Sequence, residues 1–224
     1  MNMYACASPS HMKLARHHFL PSIPLDLNLV ELAQLEQPLL DSKTNERSTG
    51  TYGQIGFNRA CELKIRHLLT CLRRQGSPFV YSDVDIRFYG CVAEEALSAL
   101  GDRDIAFQHD GPVGPCTGFM VIRPSFQIVT LFEQVLTAML NDDIHDQEAL
   151  ARVIGGTNCR WTFLPSEKFW TFGQTGRLWE PGQDVNVPNA LLMHHANWTI
   201  GLEHKDALLE LVYAKTELAR KAAS

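Results

Sequence analysis

Apolar and polar positions along the chain switch repeatedly between the period of a strand and the period of a helix, a pattern typical of an α/β fold. The segment "NMYACAS" predicts a first strand, and "SPSHMKLARHHF" predicts a helix that Ser8 or Ser10 is placed to cap. The next segment, "DLNLVELAQLEQPLLDSKTNERSTGTYG", is partly apolar and then polar and glycine-rich. It predicts a strand that leads into a loop.

The segment "GFNRACELKIRHLLTCLRRQG" gives the clearest helix prediction. Its apolar residues recur at helical spacing, Arg73 and Arg74 fall in the last turn, and Gly76 stands at the expected C-cap position. The chain then enters "PFVYSDVDI", whose continuous apolar start is typical of a parallel strand covered on both faces. Asp83 and Asp85 therefore fall at the C-terminal end of a predicted strand, where open α/β sheets bind ligands.

The alternation continues to the C-terminus. We predict a helix in "AEEALSAL" that ends at Gly101, strands in "DIAFQHD" and "CTGFMVIRP", and a helix in "FQIVTLFEQVLTAML" capped by Ser125. A shorter helix in "DQEALARVIGG", a strand in "ALLMHHANW" and a helix from about Glu203 follow. The expected architecture is one domain over residues 1–224, with a mostly parallel central sheet and helices on both faces.

Composition and charge narrow the classes of protein. The 224 residues include 45% hydrophobic and 20% charged residues, which is typical of a soluble globular protein. The formal net charge is -5, and lysines and arginines are spread along the chain, which argues against nucleic-acid binding. The six cysteines form no CxxC pair and are expected to be reduced. The N-terminus lacks a signal-peptide pattern and no run reaches transmembrane length, so we expect a soluble, cytoplasmic protein without an integral membrane segment.

Two carboxylates, Asp83 and Asp85, lie two positions apart where the buried strand is predicted to end. On a regular strand both side chains would share a face, and two buried like charges need a nearby cation. Hard oxygen ligands of this kind suit Mg²⁺ or Mn²⁺, which can also bridge the two phosphates of a nucleotide diphosphate. A bare Asp-X-Asp is more often a solvated turn at a strand end, and its position after a buried strand is what shifts the balance towards a metal site.

A second group of polar residues lies near the C-terminus, in "MHHANWTIGLEHK". One of its histidines, His194 or His195, can supply a third metal ligand. Lys205, at the start of the last predicted helix, is well placed for a phosphate beside free backbone N–H groups. Each residue is also compatible with a structural role, as a hydrogen-bonded histidine or a solvated lysine.

The order and spacing of these motifs resemble those of nucleotide-diphospho-sugar transferases with the GT-A glycosyltransferase fold. The resemblance rests on Asp-X-Asp after a strand, then "GFMVIRP", "DQEAL" and "HxNWxxGxxxK", and it extends from about the first strand to the last helix. The compact length and the opening "YACASPSHMKL" are similar to the small GT-A domains of large algal viruses. The resemblance implies transfer of a sugar from a nucleotide diphosphate, expected to be a UDP-sugar, to a hydroxyl of a carbohydrate or glycoconjugate acceptor.

The resemblance also implies roles for single residues. Asp85 would bind Mn²⁺ or Mg²⁺ directly, Asp83 would contact the metal or the donor, and His195 would complete the metal coordination. The same resemblance implies that Lys205 holds the diphosphate of the donor. These residues form the expected metal and phosphate site.

Other residues are expected to line the donor. Lys64 is preferred over Arg59 as a basic group facing it, because Lys64 adjoins the inward-facing Ile65. Gly118 would permit close backbone approach beneath the sugar, although it is also compatible with an ordinary buried strand. The remaining donor contacts implied by the resemblance are Ala5, Ala7, Ser8, Gln147, Asn197 and Gly201.

Asp146 opens the "DQEAL" helix and is the candidate catalytic residue. A helix cap is one interpretation, because a helix N-terminus stabilises an aspartate. The resemblance implies another, since an acidic residue in this region of GT-A enzymes commonly faces the sugar and, in inverting enzymes, can be the general base. The similarity to the viral domains favours inversion, although retaining relatives share the "DQ" and "HxNW" pattern.

Two other functions remain open from the sequence. One is a non-catalytic sugar-nucleotide-binding module, and the other is a metal-dependent nucleotidyltransferase or phosphohydrolase. The lack of a further acidic cluster in the sequence argues against a two-metal hydrolase. Trp170 and Trp179 lie in glycine-rich sequence and are candidate stacking platforms for an acceptor sugar.

Overall fold

A six-stranded mixed sheet forms the centre of the protein, whose computed structural model describes residues 1–35, 52 and 56–223. Its strands stand in the order β2-β1-β3-β6-β5-β7, and β6 runs antiparallel to both of its neighbours while the other pairs are parallel. The bounds of these strands are β1 Asn2–Ala7, β2 Asn28–Gln34, β3 Phe79–Ser82, β5 Ile105–His109, β6 Pro115–Ile122 and β7 Trp161–Phe163. The predicted mostly parallel sheet is confirmed, with β6 as the reversed strand.

A second sheet has three short strands in the order β4-β9-β8. β4 is antiparallel to β9, and β8 is parallel to it. Their bounds are β4 Ile86–Phe88, β8 Phe169–Thr171 and β9 Met193–His195. β4 follows the Asp-X-Asp motif directly in the chain, and β9 contains both histidines of the C-terminal motif.

The helices cover both faces of the central sheet. An N-terminal helical segment comprises a 3₁₀ turn Pro9–His11, α1 Met12–Leu14, a π-helix Ala15–Phe19 and α2 Leu20–Ser22. The longer helices are α3 Phe57–Arg74, α4 Ala93–Leu100, α5 Phe126–Asp142, α6 Asp146–Val153 and α7 Leu202–Ala223. No helix in the described ranges is both long enough and apolar enough to cross a membrane.

Strand alternation separates two hydrophobic cores on the faces of the sheet. Tyr4 and Cys6 of β1 face a core formed with α3, α5 and α6. Met3 and Ala5 face the opposite core, which contains the N-terminal helical segment and α4. A third cluster joins α7 to Trp170, Trp179 and neighbouring apolar residues.

Several predicted boundaries differ from the structure. α3 ends at Arg74 with Gln75 at the C-cap, so Gly76 lies one residue beyond the predicted position. Ser8 precedes the first helical turn but makes no capping bond, because its hydroxyl is paired with Nδ1 of His11 at 2.7 Å. Ser125 caps α5 as predicted, accepting from the backbone N–H of Ile128. The loop predicted after β2 falls on residues 36–51 and 53–55, outside the described residues.

Candidate functional site

A cavity of about 440 Å³ opens where the parallel strands β1, β3 and β5 end. Its wall includes Ser8 just after β1, Asp83 just after β3 and Asp110 just after β5. The start of α6 and the segment between β9 and α7 close the other side. The cavity therefore lies at the carboxyl edge of the sheet, where α/β folds bind ligands.

The Asp-X-Asp motif lies in a bend rather than on a strand. β3 ends at Ser82, and the backbone N–H of Asp83 donates to the carbonyl of Gly118 on β6 at 2.7 Å. The prediction that both carboxylates share a strand face is therefore wrong, because the chain turns between β3 and β4. The bend still brings Asp83 and Asp85 to the same cavity.

Asp83, Asp85 and His195, named here the cavity triad, each offer a ligand atom, and these atoms lie within 4.8 Å of one another. Pairing of β4 with β9 places His195 opposite Ile86, so the imidazole Nε2 lies 3.3 Å from Oδ1 of Asp85. Asp85 and His195 are buried, whereas Asp83 is partly exposed. Two carboxylates and one imidazole form a donor set that fits Mn²⁺ or Mg²⁺.

Gln108 fixes the orientation of the His195 ring. The Gln108 amide donates from Nε2 to the carbonyls of Phe169 and Trp170, at 3.3 and 3.2 Å. Its Oε1 must therefore accept from Nδ1 of His195, at 2.9 Å. This bond fixes the proton on Nδ1, so a neutral ring would offer its Nε2 lone pair to a metal ion beside Asp85.

The neighbouring histidine is placed elsewhere. The ring of His194 stacks on Trp170 with centroids 4.9 Å apart, and its Nδ1 lies 3.3 Å from the Trp170 carbonyl. Burial, with His195 nearby, lowers the pKa of His194 to about 3. His195 is thus the histidine of the cavity triad, and His194 belongs to the core.

Two lysines neutralise the carboxylates. Lys205 donates to Oδ2 of Asp85, and Lys64 lies 3.0 Å from Oδ2 of Asp83 and 3.1 Å from Oδ2 of Asp146. Burial opposes ionisation of Asp85, but Lys205 and His195 hold its pKa well below the usual range. Lys64 is also buried, and the carboxylates of Asp146 and Asp83 raise its pKa well above the usual range. Arg59, in contrast, pairs with Glu62 and does not line the cavity.

Asp146 is the first residue of α6 and its carboxylate is held on both oxygens. Thr117 donates to Oδ2 at 2.8 Å, and the backbone N–H of Gln147 donates to Oδ1 at 2.9 Å. Burial raises the pKa of this carboxyl, but Lys64, His145 and Thr117 together hold it below the usual range. Asp146 is therefore an ionised, restrained group in the cavity wall.

The backbone at Gly118 approaches the cavity triad so closely that only glycine fits. A Cβ atom there would lie 2.2 Å from Cε1 of His195 and 2.9 Å from Oδ2 of Asp83. The close approach in the structure is to the triad residues, and the approach to a donor sugar stays a prediction.

The sequence interpretation missed Asp110, which organises one wall of the cavity. Its carboxylate accepts from Nε2 of Gln147 at 2.9 Å, from Nδ2 of Asn197 at 2.8 Å and from Nε1 of Trp198 at 2.6 Å. An aspartate at the end of "DIAFQHD", just before a Gly/Pro-rich loop, was the signal that could have identified it. Asp110 thereby ties α6 to the segment after β9.

The structure brings most, but not all, of the predicted site residues to the cavity. Those in the cavity wall are Ala7, Ser8, Lys64, Asp83, Asp85, Gly118, Asp146, Gln147, His195, Asn197 and Lys205. Ala5 is a correction, because it lies two residues before the end of β1 and its side chain is fully buried in the core, outside the cavity wall. Gly201 is not in the wall either, and its carbonyl accepts from the backbone N–H of Lys205 at 3.1 Å.

The predicted aromatic platforms are also corrected. Trp170 and Trp179 are 5% and 2% exposed and pack with α7, so neither offers a free face to a sugar. Trp198 is partly exposed and lies in the cavity wall instead.

Comparisons with known proteins identify a family for the sequence and solved structures with a similar fold. The family model described as nucleotide-diphospho-sugar transferase matches residues 27–209. No curated protein matches the chain. A solved glycosyltransferase involved in the glycosylation of the major capsid of PBCV-1 is similar with a TM-score of 0.61 and 11% identity, over 95% of this chain and 100% of that one.

Two further solved structures have the same fold. The apo-form glycosyltransferase GlyE of Streptococcus pneumoniae TIGR4 gives a TM-score of 0.52 at 13% identity, over 96% of this chain and 63% of that one. The galactosyltransferase LgtC, in complex with donor and acceptor sugar analogs, gives a TM-score of 0.51 at 14% identity, over 99% of this chain and 96% of that one. At these identities the likenesses show the GT-A fold, and the family match covers most of the sequence. The chain belongs to the nucleotide-diphospho-sugar transferase family and is a glycosyltransferase of the GT-A fold.

Proposed function

We propose that the protein transfers a sugar from a UDP-sugar to a hydroxyl of a carbohydrate or glycoconjugate acceptor, with Mn²⁺ or Mg²⁺ bound at the cavity triad. The observation that carries this proposal is the meeting of Asp83, Asp85 and His195 with two buried lysines in one cavity. Family membership supports a nucleotide-sugar donor. The LgtC structure supports it further, since LgtC was solved in complex with donor and acceptor sugar analogs.

The site carries the charges that this reaction needs. Transfer builds positive charge on the sugar and negative charge on the departing diphosphate. A divalent ion held by Asp83, Asp85 and His195 would neutralise that diphosphate as a Lewis acid. Lys205 would add a positive charge at the phosphates, in a buried position where charge is weakly screened.

The remaining cavity residues would bind and orient the donor. Ala7 and Ser8, at the end of β1, would contact the nucleotide base, as the sequence resemblance implies. Gly118 would lie beneath the sugar. Gln147 and Asn197, both held by Asp110, offer amide groups for sugar hydroxyls.

Asp146 is the proposed catalytic residue, facing the sugar. In an inverting course it would accept the proton of the acceptor hydroxyl. Its bonds to Lys64 and Thr117 lower its pKa, however, and a carboxylate of low pKa is a weak base at neutral pH. This observation favours the second candidate course, retention, in which Asp146 would position the donor sugar rather than take a proton.

Calorimetric titration with UDP, GDP and several UDP-sugars, each with Mn²⁺ and again with EDTA, tests the donor and metal assignment. We expect tight binding of a uridine nucleotide with Mn²⁺ and its loss with EDTA. Nucleotide binding of equal affinity with Mn²⁺ and with EDTA would contradict the metal assignment. Asp102→Ala is a matched control, because Asp102 is an exposed aspartate that pairs with Arg160 and is not among the cavity-wall residues.

Product analysis separates this function from the alternatives. Release of UDP with transfer of the sugar to a glycan or to water is expected for a glycosyltransferase. Release of a sugar phosphate would indicate a phosphohydrolase, and tight metal-dependent binding without turnover would indicate a binding module. The anomeric configuration of the transferred sugar, followed by NMR, distinguishes inversion from retention.

A further inference from the structure

A second group of potential metal ligands lies between the edge strand β2 and helix α3. Glu31 of β2 and His67 and Cys71 of α3, named here the edge triad, each offer a ligand atom, and these atoms lie within 4.8 Å of one another. None of these three described residues belongs to the wall of the donor cavity. The edge triad is therefore separate from the cavity triad.

Two ligand-atom separations in the edge triad, both measured from His67, match a tetrahedral zinc site. Nε2 of His67 lies 3.5 Å from Oε1 of Glu31 and 3.6 Å from Sγ of Cys71. Zinc–nitrogen and zinc–sulfur bonds of about 2.0 and 2.3 Å separate tetrahedral ligand atoms by roughly 3.3–3.5 Å. His67 and Cys71 are four positions apart, so one helical face presents both.

Tyr81 on β3 orients the His67 ring. The Tyr81 hydroxyl donates its single proton to the carbonyl of Lys64 at 3.0 Å. It can then accept from Nδ1 of His67, which lies 2.9 Å away. That bond places the ring proton on Nδ1 and leaves the Nε2 lone pair facing Glu31 and Cys71.

The charges around the edge triad are compatible with a cation. The Glu31 carboxylate supplies the negative charge, and Oε1 is the oxygen that faces His67. Arg74 approaches Glu31, but its Nη1 lies 3.6 Å from Oε2, the oxygen that does not face His67. The ligand-facing oxygen remains available.

We propose that Glu31, His67 and Cys71 bind Zn²⁺, with a water molecule as fourth ligand, and that the bound ion ties the edge strand β2 to α3. On binding, Cys71 loses its thiol proton to solvent and coordinates as a thiolate. A thiolate together with an imidazole selects zinc over the harder Mn²⁺ and Mg²⁺. The site would stabilise the fold, because a ligand that binds only the native state raises its stability.

Titration of the reduced, metal-free protein with Co²⁺, a spectroscopic substitute for zinc, tests the site. Thiolate coordination gives a sulfur-to-cobalt absorption band, and competition with Zn²⁺ then gives the zinc affinity. We expect the band in the wild type and in the control Cys91→Ser, which removes an exposed thiol. We expect Cys71→Ser to abolish it and Glu31→Gln to weaken zinc binding at least about tenfold.

Thermal unfolding with and without Zn²⁺ provides an independent measurement. The midpoint should rise with zinc in the wild type and in Asp85→Ala, and should rise less in Glu31→Gln, whose change lies on the partly exposed edge strand. Because Asp85→Ala removes a cavity ligand, its result separates this site from the proposed donor site. A wild type without the cobalt band, or a band that survives in Cys71→Ser, would overturn the proposal.

Discussion

The cavity triad and the edge triad each contain a carboxylate and a histidine, yet their surroundings differ. The cavity triad has a second carboxylate, and Lys64 and Lys205 contact its aspartates. The edge triad has a thiol in place of the second carboxylate, and Arg74 lies near Glu31. Two carboxylates balanced by lysines suit a site that binds and releases a charged substrate together with a hard cation. A ligand set with one carboxylate, one imidazole and one sulfur suits a softer cation that stays bound.

Removing a carboxylate from the cavity triad should have the largest effect, because it should weaken metal binding at the cavity triad and leave metal binding at the edge triad unchanged. Asp85→Ala leaves Lys205 without its carboxylate partner and removes a proposed metal ligand. We expect Mn²⁺-dependent UDP binding to weaken by more than the roughly 10–100-fold that is typical for loss of an outer-shell partner. Titration calorimetry measures this, and Zn²⁺ binding at the edge triad should not change.

Unchanged affinity for UDP in Mn²⁺ would contradict the metal assignment. Equal loss of both the Mn²⁺ and the Zn²⁺ signals would indicate a general folding defect, and circular dichroism of the same sample distinguishes that case.

Asp146→Asn tests whether the cavity wall takes part in the chemistry as well as in binding. The amide keeps the shape but removes the negative charge that Lys64 and Thr117 contact. If Asp146 is a base, transfer should slow by about 10²–10⁴-fold while the affinity for UDP-sugar changes little. Initial rates and calorimetry on the same preparation measure the two effects.

Asp142→Asn is the matched control, because Asp142 is an exposed aspartate that pairs with Arg152. Equal losses of binding and transfer in Asp146→Asn would make Asp146 a donor ligand or a helix cap instead of a base.

Gly118→Ala should disturb the cavity triad through packing alone. The added methyl would overlap the His195 ring, and relieving such overpacking costs about 1–3 kcal/mol. We expect weaker Mn²⁺ binding together with a lower unfolding midpoint. Gly155→Ala is the control, since nothing lies within 4 Å of a Cβ atom at that position. Full Mn²⁺ affinity in Gly118→Ala would mean that the triad tolerates displacement of the ring.

Much of the fold and part of the cavity were predictable from the sequence, for identifiable reasons. The strand and helix periods are local, so β3, α3 and the Ser125 cap of α5 were correctly predicted. The residues alone leave His194 and His195 open as the metal ligand, because the choice depends on the register of β9 against β4, and it is the family resemblance that implies His195.

Residues that act across the fold were the hardest to identify. Asp110 and Gln108 lie on or next to β5, and their partners follow 37 to 88 residues later in the chain. Ala5 and Ala7 lie on the same face of β1, yet Ala7, the last residue of the strand, reaches the cavity and Ala5 is enclosed in the core. Sequence periodicity predicts the strand, whereas the three-dimensional neighbours decide which of its residues meet the ligand.

The smallest expected effects concern the two residues that orient the histidines. Gln108→Leu removes the acceptor at Nδ1 of His195, and Tyr81→Phe removes the acceptor at Nδ1 of His67. Each should weaken metal binding about 10–100-fold at its own triad and leave the other unchanged, because an outer-shell partner fixes the tautomer of its own ligand. Mn²⁺ and Zn²⁺ titrations of both variants measure the four affinities. A loss that appears at both triads in either variant would indicate coupling through the sheet, since β3 carries Tyr81 and ends just before Asp83. The two regions would then no longer be independent sites.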